Sequence, residues 1–76
     1  MNLSEMVTGT QCVVSSISDD SKELKSRLYT LGILPGVEIK ILRFAPLGDP
    51  IQLRVGTSLI SIRKQEAGLI EVEARQ

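Results

Sequence analysis

The sequence predicts a small, mainly β fold: a strongly bent five-stranded barrel with one α-helix inserted after the first strand. Three observations carry that expectation. First, the chain has 76 residues whose apolar stock is almost wholly aliphatic, with Tyr29 and Phe44 as the only aromatics. That supports one core of branched side chains, in a chain short enough to bury only about three-fifths of its unfolded surface. Close packing, or association with other chains in a homo-oligomer, has to supply the stability. Second, most apolar residues alternate with polar ones in short segments bounded by Gly and Pro, the period-2 signature of strands. Third, a single segment switches to helical period.

Taken in order, Thr10 to Ile17 (TQCVVSSI) is short and rich in β-branched residues, which suits a first strand, although adjacent Val13 and Val14 blur its alternation. In the next segment Leu24, Leu28 and Leu31 fall at i, i+4 and i+7, with Lys22, Lys25, Ser26 and Arg27 on the other faces. This is an amphipathic helix from about Ser21 to Leu31, its leucine stripe turned to the barrel. Asp20 is placed to cap it, with Glu23 reaching back, and Gly32 supplies the left-handed residue at its exit. Pro35 and Gly36 fit the central positions of a type II turn. In VEIKILRF, Val37, Ile39 and Ile41 alternate with Glu38 and Lys40, but Leu42 and Phe44 continue the apolar pattern on the opposite phase. Such a strand has to bend or bulge, as strands do where a small barrel turns a corner. Ala45 to Pro50 (APLGDP) reads as a rigid hairpin tip, with Asp49 placed to cap the turn. Ile51, Leu53 and Val55 form a third strand, Gly56 and Thr57 a turn, and Ile60 and Ile62 a fourth strand. Lys64 to Gly68 suits one helical or 3₁₀ turn, after which Ile70, Val72 and Ala74 alternate in a closing strand. With no linker or internal repeat, residues 1–76 read as a single domain.

Charge and composition narrow the function. Nine Lys and Arg balance nine Asp and Glu, so no long-range positive field exists to gather a polyanion, and no nucleic acid partner is expected. No apolar run approaches the roughly twenty residues of a membrane-spanning helix, which argues against direct membrane insertion. Met1 to Gly9 lacks both a basic leader and an apolar block, so a soluble cytoplasmic protein is expected. Cys12 is the single cysteine and histidine is missing, which rules out an internal disulfide, a zinc finger and His-centred acid–base catalysis. With no Gly-rich phosphate loop, no nucleophile beside a base and no fixed carboxylate pair, neither an enzyme nor a cofactor is indicated.

Strand, helix and four short turn-linked strands describe a barrel of the SH3-like kind. The stretch RLYTLGILPGVEIKILRFAPLGDPIQLRV, followed by SLISIRKQEAGLIEVE, resembles the FeoA family, small cytoplasmic accessory proteins of bacterial ferrous iron uptake. Leu28, Leu31-Gly32-Ile33, Pro35-Gly36, the Ala45 to Pro50 hexapeptide, Leu59, Ile62-Arg63 and Ile70 carry the resemblance. It implies an SH3-like barrel that binds and modulates FeoB, the membrane iron transporter with a GTP-binding domain, without being an enzyme, and that is recruited through FeoB to the inner face of the membrane. The alternative is a regulatory domain related to the C-terminal domain of DtxR-like iron-dependent repressors. An iron-uptake family also invites an iron site. A histidine-free chain would have to build one from Asp19, Asp20, Glu23, Cys12 or Met6, which show no ligand spacing, so no metal site is expected. Cys12 suits a buried apolar position better than a ligand role.

The candidate partner-binding residues are Ile33 and Leu34, Pro46, Leu47, Gly48, Asp49 and Pro50 at the tip, and Arg54. Ile33 and Leu34 cannot both face the core if their stretch is extended. A tip held by two prolines loses little entropy when a partner orders it, while serving equally well as a stiff turn that sets register. Arg43, Arg54 and Arg63 would form a basic patch for an acidic surface if register places two of them side by side, and a solvated exterior otherwise.

Overall fold

The computed structural model describes residues 1–18 and 21–75. A 3₁₀ turn at Leu3–Glu5 precedes strand β1 (Gln11–Ile17), helix α1 (Lys22–Thr30), strands β2 (Glu38–Phe44), β3 (Ile51–Val55) and β4 (Ser58–Ile62), the short helix α2 (Lys64–Ala67) and strand β5 (Ile70–Ala74). The strands form one antiparallel sheet in the order β4-β3-β2-β1-β5. Predicted fold class and element order therefore hold. The last strand joins the sheet beside β1, and α2 connects the two edge strands.

The phase switch in β2 is a bulge. Ile41 stands opposite Leu53 and Arg43 opposite Gln52, so Leu42 is the extra residue. Before it Ile39 and Ile41 are buried, and after it Phe44 packs against the core opposite Ile51. A second register shift in β1 lies between Val14 and Ser16 against β5. Bulges at these places sharpen strand twist and bend, which lets so short a sheet wrap around one core of Cys12, Val14, Leu28, Ile33, Ile39, Ile41 and their neighbours. On α1 Leu28 is fully buried, while Leu24 and Leu31 are half-buried at the margin.

Ser21 caps α1: it is extended, with φ −143° and ψ 118°, and its hydroxyl accepts the Leu24 N–H at 3.3 Å. The cap predicted at Asp20 falls outside the described residues. Gly32 leaves the helix at φ +87°, and Gly36 takes φ +92° in the turn closed by Val37 N–H donating to Leu34 C=O at 3.1 Å. Both predicted glycine positions are thus left-handed, which a Cβ would oppose.

The N-terminal segment carries more structure than its sequence suggests. Asn2 Oδ1 accepts the Ser4 N–H at 3.0 Å and Glu5 Oε1 accepts the Asn2 N–H at 2.9 Å, a reciprocal cap. The 3₁₀ turn so fixed sends Leu3 and Met6 into the core and packs against α2. The signal was present as Asn2-x-x-Glu5 with apolar residues at positions 3 and 6.

Candidate interaction surface

The tip between β2 and β3 is closed by Gly48 N–H donating to Ala45 C=O at 2.7 Å and by Ala45 N–H donating to Pro50 C=O at 3.0 Å. Pro46 and Leu47 occupy the centre of this turn, and Gly48 follows at φ +84°. Leu47 is 96% exposed, so it does not fold back over the barrel. Asp49 does not cap its own turn as expected. Its Oδ1 accepts the Lys64 N–H at 3.0 Å, satisfying an otherwise orphaned amide at the start of α2. The tip is therefore fastened to the far end of β4.

Ile33 and Leu34 part company at the α1–β2 corner. Ile33 is fully buried, drawn in as its N–H donates to Leu28 C=O at 2.9 Å, while Leu34 is 40% exposed. Of the two, Leu34 alone offers a surface.

Register does not bring two of the three arginines together. Arg43 stands opposite Gln52, whereas Arg54 stands between Lys40 on β2 and Leu59 on β4. The basic pair is Lys40 with Arg54, on the outer face of the sheet, and neither makes an ion pair among the described residues. Like charges directly opposite across strands destabilise a sheet, so this pair is not explained by folding. A shallow depression of about 210 Å³ lies beside it, lined by Gln11, Glu38, Ile39, Lys40, Arg54 and Gly56. Glu38 is engaged with Arg75 at 2.5 Å. Sequence reading named Arg54 but not Lys40, because pairing depends on register.

A second polar feature was not anticipated. Glu66 on α2 is only 2% exposed, and its Oε1 accepts the Arg63 N–H at 2.8 Å. Its Oε2 lies 3.0 Å from Arg27 Nε on α1, an ion pair outside hydrogen-bond geometry. The contact links the two helices. Cys12 is fully buried, its thiol 3.6 Å from Ile39 C=O, and burial pushes its pKa up. A thiol held protonated in the core is a packing group, not a nucleophile. No group of three or more metal-ligating side chains gathers among the described residues. No helix there is long and apolar enough to cross a membrane.

The two sheet edges differ. Along β5, Asn2 bridges Glu71, the Val72 N–H donates to Met1 C=O at 2.8 Å, and the Met1 ammonium lies 3.1 Å from Glu71 Oε2. Along β4 (Ser-Leu-Ile-Ser-Ile), Leu59 is 71% exposed and no such cover exists among the described residues.

A bent five-stranded antiparallel sheet with a helix after its first strand and a surface of short loops defines a small SH3-like domain. The FeoA domain matches residues 1–74, and the chain belongs to the FeoA family. An Fe(2+) transport protein A/Fe(2+) transporter FeoB fusion protein of Porphyromonas gingivalis is 34% identical over 73 residues, which cover 96% of this chain and 8% of that protein. The solution structure of iron(II) transport protein A from Clostridium thermocellum is 44% identical with a TM-score of 0.90, over 97% of this chain and 45% of that one. FeoA of Stenotrophomonas maltophilia, solved with zinc and described as a prokaryotic SH3 domain protein, is 32% identical with a TM-score of 0.83, over 96% of this chain and 89% of that one. A manganese-dependent transcriptional repressor shares the fold alone, at 17% identity and a TM-score of 0.91 over 99% of this chain and 41% of that one.

Proposed function

We propose that this chain is a non-enzymatic accessory module of ferrous iron uptake that binds the membrane transporter FeoB and modulates its transport or nucleotide cycle. The single observation that carries the reading is the Porphyromonas gingivalis relative, in which a segment like this chain is joined to FeoB in one polypeptide. Joining two segments in one polypeptide holds each at a high effective concentration about the other, which supports a working contact between them. Residues 1–76 act as one domain, cytoplasmic and held at the inner face of the membrane through FeoB. Leu34, the Pro46 to Pro50 tip and Arg54 supply its contact surface, with Ile33 beneath it as support. The second reading, a regulatory domain akin to metal-dependent repressors, draws on likeness of fold alone.

The test is retention of cognate full-length FeoB on this immobilised protein, in detergent, without nucleotide and with GDP or a slowly hydrolysed GTP analogue. Retention in at least one state is expected. Failure in every state overturns the reading.

A further inference from the structure

We propose that β4 is a docking edge, which takes one extended, carboxylate-bearing segment of FeoB as an added sixth strand; this rests on the FeoB reading above. The argument begins with the asymmetry of the sheet. The β5 edge is covered by Met1 and Asn2. The β4 edge is open, and it lacks the devices that protect exposed strands. Ser58–Ile62 carries no charge and no proline, and it pairs with β3 residue for residue without a bulge.

Its hydrogen-bonding groups are set for addition. Gly56 and Thr57 form a two-residue loop with Gly56 at φ +61°, the type II′ position, so Val55 and Ser58 close the hairpin as a hydrogen-bonded pair. By alternation Ser58, Ile60 and Ile62 bond to β3, while the N–H and C=O groups of Leu59 and Ser61 point outward. No backbone bond to another element reaches either residue among those described. Beside them runs a groove of about 240 Å³ lined by Leu42, Gln52, Leu53, Leu59, Ile60 and Ser61, which supplies apolar contact for alternate side chains of an incoming strand.

Charge selects the occupant. Arg54 lies directly opposite Leu59, and Lys40 opposite Arg54. A residue added opposite Leu59 would stand two strand spacings, about 10 Å, from Arg54, a gap that extended glutamate and arginine side chains bridge. A second copy of this chain, paired through β4 about a two-fold axis, would instead set one uncharged Ser58–Ile62 strand against another and bring no carboxylate opposite Leu59. The Lys40–Arg54 pair therefore favours a carboxylate-bearing strand over a second copy.

Amide hydrogen exchange on this protein with and without full-length FeoB decides the matter. The Leu59 and Ser61 amides are expected to exchange freely in the isolated protein and at least tenfold more slowly in the complex, with Ile60 slow in both. Ser61→Pro removes an outward donor at a position where an edge strand tolerates proline, and Arg54→Glu reverses the selecting charge. Each is expected to weaken FeoB retention at least tenfold, with Ser61→Ala retaining it. Should Ser61→Pro fail to fold, the exchange of the unmodified protein is decisive by itself. FeoB retained with Leu59 and Ser61 exchange unchanged overturns the docking edge and leaves the FeoB reading intact. No retention of FeoB overturns both. Protection of these amides in the isolated protein, rising with its concentration alongside a dimer, makes a second copy the occupant and overturns the proposal.

Discussion

Asp49 ties the tip to the rest of the molecule through one bond, from the Lys64 N–H to its Oδ1. Replacing it with alanine leaves that amide without its cap and is expected to cost about 1 kcal/mol, read as a lower midpoint in urea with an unchanged slope. Leu47, two residues earlier in the same loop, is the opposite case. Its side chain is almost entirely in solvent, so Leu47→Ser is expected to shift stability by no more than about 0.5 kcal/mol. The same variant is expected to weaken FeoB retention, and normal retention would remove Leu47 from the contact surface. Residue types in APLGDP made the tip legible from the sequence, because prolines and glycine declare a turn locally. The carboxylate's partner was not legible, because Lys64 is fifteen positions away and comes near only when β3 and β4 pair. The same holds for Lys40 beside Arg54.

Among the elements, α1 and α2 are coupled by Arg27 and Glu66. Arg27→Ala leaves a buried carboxylate unpaired. A fully buried pair broken this way would cost about 3–5 kcal/mol. Arg27 is half in solvent, which weakens the pair through screening, so a loss of about 2 kcal/mol is expected in chemical denaturation. Double replacement, Arg27→Ala with Glu66→Gln, is expected to recover part of it by removing the stranded charge. The strands of this chain were readable because alternation and turn residues act over a few positions, and even the bulge at Leu42 announced itself as a change of phase. The N-terminal turn announced itself less. Its capping spacing is local, but Leu3 and Met6 are stabilised by a core assembled from the other end of the chain, and nothing in their immediate neighbours reports that.

For the molecule as a whole, the N-terminal turn has two effects at once: it fills the core and covers β5. Deleting residues 1–5 withdraws fully buried Leu3, a change on the scale of emptying a leucine site, about 3 kcal/mol or more. It also bares the Val72 amide. The expected outcome is a less stable protein that associates with rising concentration, checked by thermal unfolding and sedimentation. A variant that is destabilised but strictly monomeric would assign the segment to the core alone.

The covered edge has a consequence for valency. A sheet open on both sides can recruit strands indefinitely, and each addition presents a fresh template for the next. With Met1 and Asn2 lying against β5, growth in that direction is terminated before it starts. With β4 as the proposed docking edge, the fold presents one open side, a monofunctional unit in the sense a polymer chemist would use, and a single addition per barrel is the expected stoichiometry.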